Sequence, residues 1–246
     1  MSTQDYSYIG VGQIYLRNRN QAGGLVPVGN VSALSFAVAE ETRELRDHTN
    51  PGGGTRNEIR RIEGVEASMT LHDLSPANLA VALYGTTAPV AEGTATAEVI
   101  PVTKGALVPL ANVAPSDVVV TEDTDTTPDT YAAGTDYEVR AGGIWFPENS
   151  TIPGETVRVN YSYPGQDVIQ ALTQTAGEFE LLFDGVNEAR SGKPHVVHVH
   201  RLRFGPAQDL ALIGDDYAGL ELTGRLLADT SQGSGLSRFF KTAIVR

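Results

Sequence analysis

A regular alternation of apolar and polar side chains near the C-terminus constrains the fold more than any other feature. From Leu220 to Ala228 every second residue is Leu, Gly or Ala, and Glu221, Thr223 and Arg225 lie between them. A period of two is typical of a β-strand that is buried on one face. A Gly-Asp-Asp turn precedes it, so two strands joined by that turn are predicted within Phe204–Asp229, FGPAQDLALIGDDYAGLELTGRLLAD.

The rest of the chain predicts a mainly β fold. Val65, Ala67, Met69 and Leu71 form one strand face, and a bulge is predicted at Gly64, where the alternation breaks. Further strands are predicted at residues 12–17, 32–40, 178–184, 196–204, 209–213, 217–228 and 237–245.

One helix has clear start and stop signals and is predicted at about residues 76–84. Ser75 is a suitable cap, Pro76 suits the first helical position, and Gly85 suits a left-handed residue after the end. Leu79 and Leu83 lie one turn apart, and we expect this narrow apolar stripe to cover a sheet.

A long polar segment, from Glu41 to Asn57, separates two predicted strands. Its glycine run and its charges indicate a protruding loop, and loops of this length are usually functional or disordered. The candidate contact residues in and beside it are Arg43, Arg46, Asp47, Asn50, Gly52, Gly53, Gly54 and Arg56.

The middle of the chain differs in charge from its flanks. Residues 86–167 carry twelve acidic and three basic side chains, a net charge of −9, against −3 for the remainder. A linker-like stretch at residues 86–96 and a Pro-Gly pair at 164–165 bound this region. We therefore expect an inserted acidic β domain at 88–165, within a discontinuous domain of 1–87 and 166–246. A net negative charge of this size argues against a protein that binds nucleic acid by neutralising its phosphates.

Composition and termini set further expectations. The chain has no cysteine, which favours a reducing compartment and leaves no disulfide or thiolate metal site. The first residues lack a signal-peptide pattern, and no stretch approaches eighteen apolar residues. Synthesis in the cytoplasm without membrane insertion is expected.

Motifs for catalysis are weak. His195, His198 and His200 could suggest a zinc or nickel site, but on a strand His195 points away from the other two. Asp215 and Asp216 fall in the predicted hairpin turn, where Asp is favoured for backbone reasons. We expect no catalytic residue, metal site or cofactor, and hence no enzyme.

The order of these elements resembles the tail tube proteins of long-tailed siphophages. The resemblance covers residues 1 to about 87 and 167–246, and depends on the capped helix, DLSPANLAVALYG, and on DLALIGDDYAGLELTGRLLAD. It implies a β-sandwich or half-barrel whose early loop contacts a neighbouring subunit. It also implies that six copies close a ring with a continuous inner β-barrel, and that the rings stack into a hollow tube.

The partners that this resemblance implies are other copies of the chain, a tape measure protein and double-stranded DNA in the lumen, and tail terminator and tail tip proteins. It places the protein in the virion tail after synthesis in the cytoplasm of a bacterial host. An Ig-like or lectin-like adhesion or decoration module on a virion surface is the alternative. A histidine-dependent metal hydrolase is a third and weaker hypothesis.

Overall fold

The computed structural model describes residues 6–153 and 155–245, and the protein is mainly β. Contacts divide the chain into a first unit, residues up to Thr87 and from Ile169 onward, and a second unit, Ala88–Val168. The second unit ends three residues after the predicted insert.

Sixteen strands and one α-helix are formed by the described residues. In chain order they are β1 (Gly10–Asn18), β2 (Val26–Pro27), β3 (Val31–Arg46), β4 (Thr55–Leu71), α1 (Pro76–Ala82), β5 (Thr86–Val90), β6 (Gly93–Pro101), β7 (Ala106–Pro109), β8 (Ser116–Glu122), β9 (Glu138–Arg140), β10 (Gly143–Phe146), β11 (Thr156–Tyr163), β12 (Gln166–Gln170), β13 (Phe179–Asn187), β14 (Lys193–Phe204), β15 (Leu220–Leu226) and β16 (Phe240–Ile244). Among these residues, no helix is long and apolar enough to cross a membrane.

An antiparallel sheet organises the first unit, in the order β2-β1-β13-β14-β15-β4-β3. The long strand β14 has two partners on one side. Its residues His195–Val199 pair with β16, and its residues Leu202–Phe204 pair with β15. β15 and β16 therefore lie beside the two halves of one strand.

One face of this sheet is apolar and forms the core. Met69, Leu71 and Leu222 are almost completely buried, as the alternation in β4 and β15 predicts. The bulge is confirmed one residue from its predicted place, because Ala39 pairs with Gly64 while Glu40 pairs with Ile62.

The helix packs on this core through a different stripe from the one predicted. Asn78 and Ala82 are buried, and Val81 packs against the core, whereas Leu79 and Leu83 are only half-buried. The Asn78 amide donates to the carbonyl oxygens of Val28 (2.8 Å) and Asp73 (2.7 Å). The buried face of the helix therefore contains a polar side chain, Asn78, whose amide has two hydrogen-bond partners, and not the two leucines that the sequence predicts there.

The start of the helix matches the prediction and its end does not. The Ser75 hydroxyl accepts from the Asn78 amide at 3.2 Å. The helix ends at Ala82, and Tyr84 takes the left-handed conformation, with φ of 49°, that the sequence predicts for Gly85. Gly85 is needed for space instead, because a Cβ there would lie 2.6 Å from the Gln170 carbonyl oxygen.

The polar segment Glu41–Asn57 is not a loop over its whole length. β3 continues to Arg46 and β4 begins at Thr55, so only residues 47–54 form a turn. Glu41 pairs with Arg61, and Arg43 pairs with Ile59. Mutual pairing satisfies the backbone of two charged stretches, which explains why they form a hairpin.

The prediction of a strand at residues 209–213 is also wrong, and so is the prediction of a hairpin turn at Asp215 and Asp216. Residues 205–219 are irregular, and β15 begins only at Leu220, opposite Leu71. The linker prediction for residues 86–96 is wrong as well, because β5 and the start of β6 occupy most of that stretch.

The second unit has its own core between two three-stranded sheets, β7-β10-β9 and β6-β11-β8. Phe146, Val157 and Val159 are completely buried in it. Arg158 binds Asp123 and Asp125, each at 2.7 Å, and so holds the acidic loop after β8 against β11. A further pair, β5 with β12, lies where the chain passes between the units.

Candidate subunit interface

The hairpin formed by residues 40–63 is the candidate interface, and we call it the arm. It continues β3 and β4 beyond β15, whose last partner on β4 is Val65. Every residue of the arm is exposed except Asp47, which is half-buried. Because strands of the arm pair only with each other, the arm has no support from the rest of the sheet.

The tip of the arm is ordered by one carboxylate. Asp47 accepts from the Thr49 amide at 2.8 Å, from the Thr49 hydroxyl at 2.5 Å and from the Asn50 side chain at 3.1 Å. The hydrogen bonds from Thr49, followed by that from Asn50, lower the pKa of Asp47. Gly52, Gly53 and Gly54 all have positive φ and complete the turn.

The predicted contact residues therefore all lie on the arm but in two kinds of structure. Arg43, Arg46 and Arg56 are strand residues, and the others form the turn. Arg43 is paired with Glu41 at 2.9 Å, and Arg60 is paired with Glu58. Exposed pairs of this kind contribute little to stability, so the charges are available to a partner.

Large apolar side chains are also exposed on the arm and at its base: Val38, Leu45, Ile59 and Ile62, each more than half exposed. Three of these residues lie on the unsupported arm and Val38 lies at its base, and exposed apolar patches commonly mark interaction surfaces. The sequence does not mark these residues as one surface, because Leu45 falls in the predicted loop 41–57, Val38 in the predicted strand 32–40, and Ile59 and Ile62 beyond the loop.

The sheet ends in strand edges that lack a partner among the described residues. β3 has only β4 beside it along its sixteen residues. On the opposite side, β2 covers only Tyr15 and Leu16 of β1. Unpaired edges are templates for pairing with another chain.

The second face of the sheet is polar and carries several ion pairs. Glu178 accepts from Arg201 in a bidentate contact, at 2.7 Å twice, and from Arg203 at 2.7 Å. The pKa of Glu178 is lowered to about 2, mainly by the hydrogen bonds from Arg201. Arg17 pairs with Glu180, so the acidic side chains of this face hold its arginines.

The three histidines are separated as predicted. His195 stacks edge-on against Tyr8 and bonds Thr242, whereas the rings of His198 and His200 lie 5.0 Å apart. The latter two are two residues apart on β14 and therefore share a face of the strand. Burial, and then the charge of His198, lower the pKa of His200.

These histidines do not form a metal site with the acidic groups around them. The carboxylate of Glu180 is shared between Arg17 and His198. Within residues 6–153 and 155–245, no group of three or more His, Asp or Glu side chains is arranged to bind a metal ion. The hypothesis of a histidine-dependent metal hydrolase therefore gains no support from these side chains.

The fold and the candidate interface define a mainly β protein with an exposed arm, open sheet edges and an additional small β unit. Over residues 7–243 the chain matches the family described as "Protein of unknown function UCP028589", and it belongs to that family. No curated protein matches the chain.

Proposed function

We propose that the protein is a structural subunit that assembles into hexameric rings, which stack into the hollow tail tube of a siphophage. The observation that carries this proposal is the pair of open edges on a sheet that is covered on one face only. The edge of β3 in one copy and the edge of β1 in the next provide the backbone groups that a closed ring of strands requires.

The polar face of the sheet suits the wall of a channel for DNA. Core residues and α1 cover the other face, so a barrel made from this sheet would present Glu178, Glu180 and their arginines to the lumen. Glu178 and Glu180 are mostly buried, so they hold these arginines more firmly than the exposed pairs of the arm do, and the arginines attract phosphate less than free ones would. Double-stranded DNA and a tape measure protein could then pass without adhering.

The arm supplies contacts between subunits in this proposal. In the single chain the arm is exposed and charged, and its two strands pair only with each other. These properties are expected of a segment that packs against a neighbouring subunit in the assembly. The ends of the tube would be closed by tail terminator and tail tip proteins, as the family resemblance implies.

Assembly of the full-length chain tests the proposal. We expect mass photometry to detect six-subunit rings and negative-stain electron microscopy to show rings or tubes as the concentration rises. A monomer at every concentration, with no tubes in virions that carry the protein, would contradict it.

An adhesion or decoration module is the competing function, and the second unit is the observation that favours it. Its two three-stranded sheets enclose a separate core, as in a small β-sandwich. Binding of the monomeric chain to a glycan array, without self-assembly, would support this alternative.

A further inference from the structure

A short exposed loop in the first unit combines a fixed base with an apolar tip. The Ala207 amide donates to the Ala82 carbonyl at 2.8 Å, Leu210 packs against the core, and the Ala218 carbonyl contacts His72 Nδ1 at 3.2 Å. Between these anchors, the tip loop, residues 211–217, has no buried side chain.

The tip loop displays three large apolar side chains to solvent. Leu212 is 81% exposed, and Ile213 and Tyr217 are each 98% exposed. A loop that is held at both ends could fold such residues inward, so their exposure indicates a surface that another molecule covers. Asp215 and Asp216 lie among them, and residues 205–219 contain no basic side chain.

One face of the arm is complementary to the tip loop. The cross-strand pairs Arg43–Ile59 and Leu45–Asn57 are two residues apart along each strand. Because alternate residues of a strand share a face, these four side chains lie on the same face of the arm. The pair of Glu41 with Arg61 continues the same face. Two apolar side chains thus lie beside two arginines on the arm, and two aspartates lie between apolar side chains in the tip loop.

The register of the sheet places the arm and the tip loop at opposite ends of the same strands. The tip loop precedes Leu220, which pairs with Leu71, whereas the arm begins beyond the pair of Leu226 with Val65. From Ile62 to Leu71, the strand spans about 30 Å at about 3.3 Å per residue. A second copy displaced along the strands would bring its tip loop to the arm of the first.

We propose that the tip loop receives the arm of a second copy of this chain. Leu45 and Ile59 pack on the apolar side chains of the tip loop, and Arg43 and Arg61 pair with Asp215 and Asp216. The two surfaces differ, so the contact is heterologous and propagates from copy to copy without closing on itself. The inference builds on the proposed function, in which the second copy belongs to the next ring of the tube.

Charge reversal in the full-length chain tests this contact. The variant Asp215→Arg/Asp216→Arg and the variant Arg43→Asp/Arg61→Asp should each raise the concentration needed for tube formation about tenfold or more, because like charges then oppose each other. The chain that carries all four substitutions restores the complementarity and the net charge, and should assemble within about threefold of the original.

A matched control separates this contact from a general effect of charge. Glu92→Arg/Glu155→Arg alters two exposed acidic residues of the second unit by the same total charge and should leave the assembly concentration unchanged. Leu212→Ser/Ile213→Ser should impair assembly without changing any charge. Circular dichroism of each variant verifies that the chain is folded.

The outcomes distinguish the two proposals. If the unaltered chain forms neither rings nor tubes, the proposed function fails and this inference fails with it. If the unaltered chain forms tubes and the tip-loop variants assemble equally well, only the inference is overturned. Loss of assembly in both charge variants without recovery in the combined chain also overturns it.

Discussion

Glu178 connects two strands on the polar face, because it immediately precedes β13 and accepts hydrogen bonds from Arg201 and Arg203 of β14. Its side chain is mostly buried, whereas those of the two arginines are about one-third and one-half exposed. Solvent therefore screens part of the attraction, and the contact contributes less than a fully buried pair would.

We predict that Glu178→Gln lowers the free energy of unfolding at neutral pH by about 1 kcal/mol. The pKa of Glu178 is about 2 in the folded protein and ordinarily 4.5. A lowered pKa stabilises the folded state above about pH 4.5, and this stabilisation is lost as the pH falls towards 2.

Urea denaturation at pH 6, 4 and 3 measures this effect. The difference in unfolding free energy between the unaltered chain and the glutamine variant should shrink as the pH falls. A difference that is constant across this range would show that Glu178 acts through packing and not through its charge.

Gly85 is constrained by a close backbone approach. We predict that Gly85→Ala destabilises the first unit by about 1–3 kcal/mol, because its Cβ would meet the Gln170 carbonyl oxygen at 2.6 Å. Gly205→Ala is the control, since its Cβ would lie 3.6 Å from the nearest atom, an ordinary contact. Equal denaturation midpoints for the two variants would contradict the steric explanation.

At the scale of elements, sequence patterns predicted what depends on near neighbours. Ser75 and Pro76 define the start of α1 through contacts within four residues, and the alternation in β4 and β15 identified their buried faces. The role of Gly85 depends on Gln170, far away in the sequence, so no local pattern could reveal it.

The segment of the candidate interface is exposed, as its polarity predicts, but it is a hairpin and not a loop along its whole length. All eight candidate residues lie on the arm or in its turn, but polarity alone cannot distinguish an exposed loop from an exposed hairpin whose strands pair with each other. The opposite error occurred at residues 209–213, where apolar side chains indicated a strand. There the structure leaves Leu212 and Ile213 in solvent.

We predict that the arm is mobile in the free subunit and ordered in the assembly. Its strands pair only with each other, and an isolated hairpin is marginally stable in water. Amides of residues 46–57 should exchange hydrogen rapidly in the monomer and much more slowly in tubes.

The same experiment contains its control. Residues 65–71 of β4 are flanked by β3 and β15, so their amides should exchange slowly in both states. Equally rapid exchange of residues 46–57 in monomer and tube would show that the arm is not engaged by a neighbour.

At the scale of the whole molecule, two separate cores imply that the units fold independently. The buried residues of the first unit and those of the second form distinct clusters. The pair β5 with β12 lies where the chain passes from one unit to the other, which offers a place to remove the second unit without cutting the strands of the large sheet.

We predict that the second unit decorates the outside of the tube and is dispensable for polymerisation. Six copies per ring with a net charge of −9 each would repel one another if they were crowded into a lumen, whereas on the outside they are separated and screened over about 8 Å. Replacing residues 91–165 with a Gly/Ser linker keeps all of β5 and β12. The shortened chain should form tubes of unchanged inner diameter and smaller outer diameter in electron micrographs. A shortened chain that is folded by circular dichroism but cannot assemble would mean that the second unit takes part in subunit contacts, because the large sheet, its open edges and the arm are all retained in that chain.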